Sequence, residues 1–300
     1  MRKMSYQVTQ IAATAGRTIM AAGVALTLGA VTTAEAGDAR NGIVKADTAV
    51  SLAFDFVSSG FRLLTLDFEL GLSGDRYRAS SVIKTKGIGS FISKMKTQSA
   101  VSGIIKSVGL LPEKFGMTIK TSDKKRKYLL NWAKDGTISV KRTKQPREYK
   151  VKEMDAATTA GMPDPMTVII SAALFQHDRP CTGSYKVING KEVYALKFTL
   201  RGKDKIGKKA KGAYRGEAYL CDVLYTPIAG LSRRKMAKFR SDPMPPMQIW
   251  MAPVQTETLS RPLLLPVKVN AEIDWVSTAA YLRKGTVNGK PLNSKSYAKR

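Results

Sequence analysis

The chain has 300 residues and 43% hydrophobic content, enough for a real core and too much for bulk disorder. Its 50 Lys and Arg outnumber 23 Asp and Glu, a net charge of +27 that says little about fold but selects anionic partners: lipid head groups, cell-wall polymers or nucleic acid. With one histidine and two cysteines, no ligand spacing for zinc recurs, and neither metal nor cofactor is expected.

Arg2 and Lys3 give a positive start, and Arg17 borders the uncharged run Ile19 to Val31. Ala34-Glu35-Ala36 then puts small residues, Ala34 and Ala36, where a signal peptidase reads. The run is shorter than the roughly 20 apolar residues of a membrane span. Residues 1–36 are therefore expected to be a signal peptide, and the mature protein to be periplasmic. That address lowers the weight of nucleic acid, for which no reader motif is present. In an oxidising compartment Cys181 and Cys221 fit one disulfide, with two buried free thiols as the alternative.

Period-two alternation dominates the chain from Val50 onward. Val50, Leu52, Phe54 and Phe56 share one parity, and Leu64 to Leu72 repeat the pattern after Ser58-Ser59-Gly60, so a hairpin is predicted. Tyr77, Ala79, Ser81 and Ile83 suggest a third strand. Residues 87–111 are interrupted by glycines, with room for a short helix between Ile88 and Met95. Alternation returns at Phe115, Met117 and Ile119, then at Tyr128, Leu130 and Trp132 before the Asp135-Gly136 hairpin signal. Residues 141–162 are polar and irregular.

Asp164-Pro165 opens Met166 to Phe175, apolar except at Thr167 and Ser171. Asp is a good N-cap, Pro suits the first helical position, and a helix apolar all round is buried. It would lie against the concave face of a sheet, or serve as a lid over a cavity. Beyond it, Asn189-Gly190 marks another hairpin, with Tyr194 to Leu200 returning. Arg201 to Gly212 is expected to be a basic loop. Tyr219 to Tyr225 alternate up to Pro227, Met247 to Met251 form a late strand, and Leu263 to Trp275 form the longest one. The predicted fold is mainly β, a large curled antiparallel sheet (an open or partly closed barrel) with one buried helix. Residues 37–284 make a single β-rich domain, and 285–300 a polar flexible tail.

Several short motifs resemble the uncharacterised envelope family called domain of unknown function 3108. They are Pro163-Asp164-Pro165, Pro180-Cys181-Thr182-Gly183, Cys221-Asp222-Val223, Tyr225-Thr226-Pro227-Ile228-Ala229-Gly230 and Leu265-Pro266-Val267. The resemblance covers most of residues 48–282. It implies an exported β-rich protein with a Cys181–Cys221 link, and it implies no activity.

Residues suited to catalysis do not converge in the sequence. His177 stands beside Asp178 without a nucleophile other than the cysteine already given to a disulfide. Asp67 and Glu69 share a strand face, as solvated acids do. Residues 202–209 (GKDKIGKK) nearly spell a phosphate loop, but Lys209 replaces the hydroxyl residue and no helix is expected after it. Basic clusters remain: Lys124 to Lys127; Lys203, Lys205, Lys208, Lys209 and Lys211; and Arg233, Arg234 and Lys235. The last two sets are the candidate anion-binding residues. The expectation is a non-enzymatic periplasmic protein that binds or carries a hydrophobic or amphipathic envelope component, such as a lipid or lipoprotein. The alternative is an envelope scaffold that uses its basic surface to hold a protein, an anionic polymer or a membrane surface.

Overall fold

The computed structural model describes residues 43–92, 94–143, 159–207, 210–273 and 276–292. The signal-peptide reading, with Ala34 and Ala36, and the candidates Lys208 and Lys209 lie outside them. The first meander comprises β1 (Thr48–Ser58), β2 (Phe61–Ser73), β3 (Arg76–Thr85), β4 (Lys96–Lys106), β5 (Gly109–Lys120), β6 (Lys125–Trp132) and β7 (Ile138–Arg142). The second comprises β8 (Ser184–Ile188), β9 (Val193–Ile206), β10 (Gly216–Ala229), β11 (Met247–Val254), β12 (Leu263–Ile273) and β13 (Val276–Val287), with β14 (Lys290–Pro291) paired to β13. Within each meander every strand pairs antiparallel with the next, and β1 pairs with β13 to merge them into one sheet. Helices are α1 (Gly89–Ile92, a single turn), α2 (Pro165–Phe175) and α3 (Arg233–Ser241).

The predicted first hairpin forms with Val50, Leu52 and Phe54 opposite Leu70, Phe68 and Leu66. Ser59 and Gly60 both take positive φ, +49° and +82°, as the twist of a two-residue turn requires. Elsewhere the structure departs from the sequence reading. A full strand, β4, fills the glycine-broken stretch. β9 runs through Arg201 to Ile206, which was expected to be loop, so the GKDKIGKK stretch begins as strand. Pro227 sits inside β10 rather than ending it. β13 and β14 take up residues 285–291, and Leu292 is buried, so the start of the expected tail belongs to the sheet. The basic run 233–241 is a second full helix.

α2 forms as its sequence demands. Asp164 caps it, with Oδ1 accepting from Met166 N at 2.9 Å and Thr167 N at 3.1 Å. Met166, Ile170 and Leu174, four residues apart, enter the main core, while Val168 packs with Val187, Tyr194, Phe198 and Val223. Each such side chain contributes about 2 kcal/mol by leaving water. The helix touches β5 of the first meander and β8 and β12 of the second, so it lies inside the curl of the sheet.

That curl brings the two edge strands, β7 and β8, toward each other without pairing them. The Asn189-Gly190 turn meets β6, where a Cβ on Gly190 would stand 2.8 Å from Leu130 and 3.0 Å from Tyr128. Arg142 Nε donates to the Gly190 carbonyl at 2.5 Å. The result is an unclosed barrel with a side-chain seam. On the approach to α2, Trp132 Nε1 donates to Met162 O at 2.9 Å and Ile188 N to Pro163 O at 3.0 Å, fastening the helix entrance to β6 and to the edge strand β8.

Cys181 and Cys221 are joined, with Cα atoms 5.3 Å apart, tying the segment just past α2 to β10. The bridge closes a separation of 40 residues, for which loop-closure entropy gives about 4 kcal/mol. Reduction should therefore lower the urea midpoint with the unfolding slope nearly kept. An unchanged midpoint after verified thiol release would contradict this role for the bridge.

Candidate functional site

The register places the inner side chains of the first meander in rows. Phe54, Leu66, Ile83, Thr97 and Ile119 form one, and Leu52, Phe68, Ser81, Ser99, Met117 and Tyr128 form the next. A third holds Val50, Leu70, Ala79, Val101, Phe115 and Leu130. None of these positions carries a charge. Most are fully buried, yet Leu66 and Phe68 are only half-buried although Leu64 and Leu70 flank them in the same strand. Phe56 is half-buried too, and beside it the row runs through Ala280 to half-buried Val269. Half-buried apolar side chains thus step across β12, β1 and β2 on the wall of the core.

Facing Phe68 across the ladder is Ser81, 2% exposed, whose hydroxyl has no hydrogen-bond partner. A buried hydroxyl left unpaired costs about 1–3 kcal/mol, and an occupant with an acceptor oxygen would recover it. Ser81 is thus a buried hydroxyl set among apolar inward side chains. Its only trace in the sequence is faint: Ser81 falls on the inward parity of a strand otherwise lined by Tyr77, Ala79 and Ile83.

The helix is held to the sheet by a buried chain of hydrogen bonds. Thr167 Oγ1 donates to Asp164 Oδ2 at 2.5 Å, and the Tyr77 hydroxyl is 2.8 Å from Thr167 Oγ1. Tyr77 needs room to reach in: a Cβ on Gly103 would stand 2.2 Å from the Leu111 carbonyl and 2.7 Å from the Tyr77 ring. Asp164 is fully buried, and the loss of hydration pushes its carboxyl up from 3.8 to about 6 despite its hydrogen bonds. Burial, then the Asp164 charge, raises the Tyr77 phenol above its ordinary value.

The basic candidates are not gathered into one site. Lys203 and Lys205 are exposed on β9 near the tip of the β9–β10 hairpin, where Lys203 lies 5.8 Å from the Tyr219 ring, and Lys211 is exposed in the loop. Arg233, Arg234 and Lys235 open α3, past the other end of the same hairpin. Strand rise separates the two sets by about 30–40 Å. The expected solvated acids are engaged: Asp67 with Arg283 at 3.4 Å, and Glu69 with the Ser51 hydroxyl at 2.7 Å. His177 Nε2 is 2.9 Å from Asp178 Oδ2. Among the described residues no group of three His, Cys, Asp or Glu side chains is placed to hold a metal.

These features define an open, barrel-like antiparallel β protein with a helix inside and a half-buried apolar patch on its core wall. The chain belongs to the family described as protein of unknown function (DUF3108), whose model matches residues 49–283. Among solved structures it is similar to a beta-barrel-like protein of domain of unknown function DUF1849 from Brucella abortus. That match has 12% identity and a TM-score of 0.43, covering 82% of this chain and 99% of the other. A domain from Vibrio parahaemolyticus named for outer membrane lipoprotein sorting is similar at 7% identity and a TM-score of 0.22, covering 86% of this chain and 94% of the other. No curated protein matches.

The raised Asp164 carboxyl has a signed consequence. The folded form holds this proton more tightly than the unfolded chain, so stability is fullest below about pH 4, falls as pH rises toward 6, and levels off above. The shift corresponds to about 3 kcal/mol. Asp164→Asn keeps an acceptor for the cap but cannot ionise, and its stability relative to wild type should climb between pH 4 and 7. Urea denaturation of both proteins across that range tests it, and a constant difference would rule it out.

Proposed function

We propose that this is an exported, non-enzymatic binding protein that shelters a hydrophobic or amphipathic envelope component in the hollow of its curled sheet. The observation that carries this reading is the run of half-buried apolar side chains Phe56, Leu66, Phe68 and Val269 along the core wall, with the unpartnered Ser81 hydroxyl opposite Phe68. An apolar concavity with few polar groups is the usual form of a site for such ligands. The disulfide supports export, because such bonds persist in oxidising compartments. Among the described residues no helix is long and apolar enough to cross a membrane.

The neutral apolar fluorophore N-phenyl-1-naphthylamine should bind saturably and be displaced by lipids extracted from the native envelope. Phe68→Ala should weaken binding several-fold, since it removes a face of the wall. Ser81→Ala should leave the empty protein as stable as wild type or about 1 kcal/mol more so, because it deletes an unpaired buried hydroxyl. Absence of saturable binding by folded protein, or equal binding by Phe68→Ala, would overturn the reading.

A further inference from the structure

The half-buried apolar run does not stop at Val269. Val269 faces Ile249 across the β11–β12 ladder, and Ile249 and Met247, two residues apart on β11, belong with Tyr225 to the apolar group around Val223 and Tyr194. Ile249, Met247 and Tyr225 are all half-buried, so the run reaches from β2 to β10. Its last ring is met by α3: Phe239 approaches Tyr225 edge-on at 6.2 Å, and Tyr225 lies 5.0 Å from the ring of buried Tyr194. Yet α3 is lightly held. A helix of nine residues is marginal in water without packing, and none of its residues is buried. Among the described residues no strand packs along it, whereas α2 lies against β5, β8 and β12. Within α3 only Met236 and Phe239, three residues apart on one face, are half-buried. Its first turn sets Arg233 and Arg234 at the positive end of the helix dipole with no acid beside them, and the Ser232 hydroxyl caps it, accepting from Lys235 N at 3.4 Å. The joints on either side are stiff. Gly230, at φ +84°, passes so close to the Lys191 carbonyl that a Cβ would stand 2.3 Å from it. Beyond the helix, Pro243, Pro245 and Pro246 have fixed φ and no N–H to add to a ladder.

We propose that α3 is a lid over the β10 end of the apolar run, and that a guest passes beneath it when Phe239 leaves Tyr225. The lid rests on the binding reading above and supplies the route by which that site is reached. Opening it gives up one ring contact and breaks no strand pairing. A ring pair of this kind shifts an equilibrium by about two- to tenfold, so the open form is within thermal reach. Arg233, Arg234 and Arg240 are exposed, so lifting the helix takes none of these charges out of water. A fixed wall element would sink side chains into the sheet as α2 does, and α3 sinks none.

The test times the binding of N-phenyl-1-naphthylamine to the disulfide-bonded protein by stopped-flow fluorescence. Phe239→Ala should raise the association and dissociation rates together, each about two- to tenfold, with Kd nearly kept and a thermal midpoint close to wild type. Phe239→Tyr keeps the ring and should keep wild-type rates. Unchanged rates in Phe239→Ala would overturn the lid. So would faster dissociation alone with weakened affinity, which would make Phe239 part of a fixed wall. Hydrogen exchange checks the lid without a ligand: the amides of residues 233–241 should exchange while those of β10 and β11 stay protected, and protection of α3 equal to that of β10 would overturn it. A wild type that never binds the probe would refute the binding reading and the lid with it, whereas the other adverse outcomes refute the lid alone.

Discussion

A helix enclosed by a sheet must satisfy its first-turn N–H groups without water, and this protein does so with one carboxylate. Asp164 takes the Met166 and Thr167 amides and the Thr167 hydroxyl, and through Thr167 reaches Tyr77 on the opposite wall. The cap is thereby also the tie between helix and sheet. Without it the unpaired amides would oppose enclosure by about as much as the apolar side chains of the helix favour it. Gly103 belongs to the same constraint, since only a residue without Cβ leaves Tyr77 its place.

The architecture was legible in the sequence wherever one face is apolar and the other polar. β1, β2 and β12 alternate plainly, and α2 announces itself by Asp164-Pro165 and an unbroken apolar run. β4 was hidden because its inward positions are Thr97, Ser99, Val101, Gly103 and Ile105: small and hydroxyl side chains that fit around bulky neighbours but carry little hydropathy signal. β13 was hidden similarly, with Ala279 and Ala280 adjacent and Ala280 inward. α3 lacks an apolar stripe, so its charges read as solvated loop. The half-buried apolar patch was the least legible part, because it depends on how inward side chains are covered, a property of register across several strands and not of any one segment.

Charge is placed as deliberately as hydrophobicity. The inner rows of the first meander are uncharged from β1 to β5, and two of them end on Arg126 and Arg142 in β6 and β7, while Asp55, Asp67 and Asp222 are met by Arg62, Arg283 and Arg201. Even the buried indole of Trp250 is used at its edge: its Nε1 donates to Asp204 at 2.6 Å, and Lys268 lies 3.7 Å from its ring. The surplus of positive charge is spread over the surface, on Lys124 to Lys127 of the first meander and at both ends of the β9–β10 hairpin, one end on extended chain and the other on a helix.

The unpaired seam between β7 and β8 gives the barrel an adjustable girth. In a fully hydrogen-bonded cylinder, widening the interior means breaking a ladder along a whole strand. Here the edges meet through the Arg142–Gly190 hydrogen bond and the packing of Gly190 on Tyr128 and Leu130, so parting them breaks side-chain contacts while every backbone pairing in the sheet stays intact.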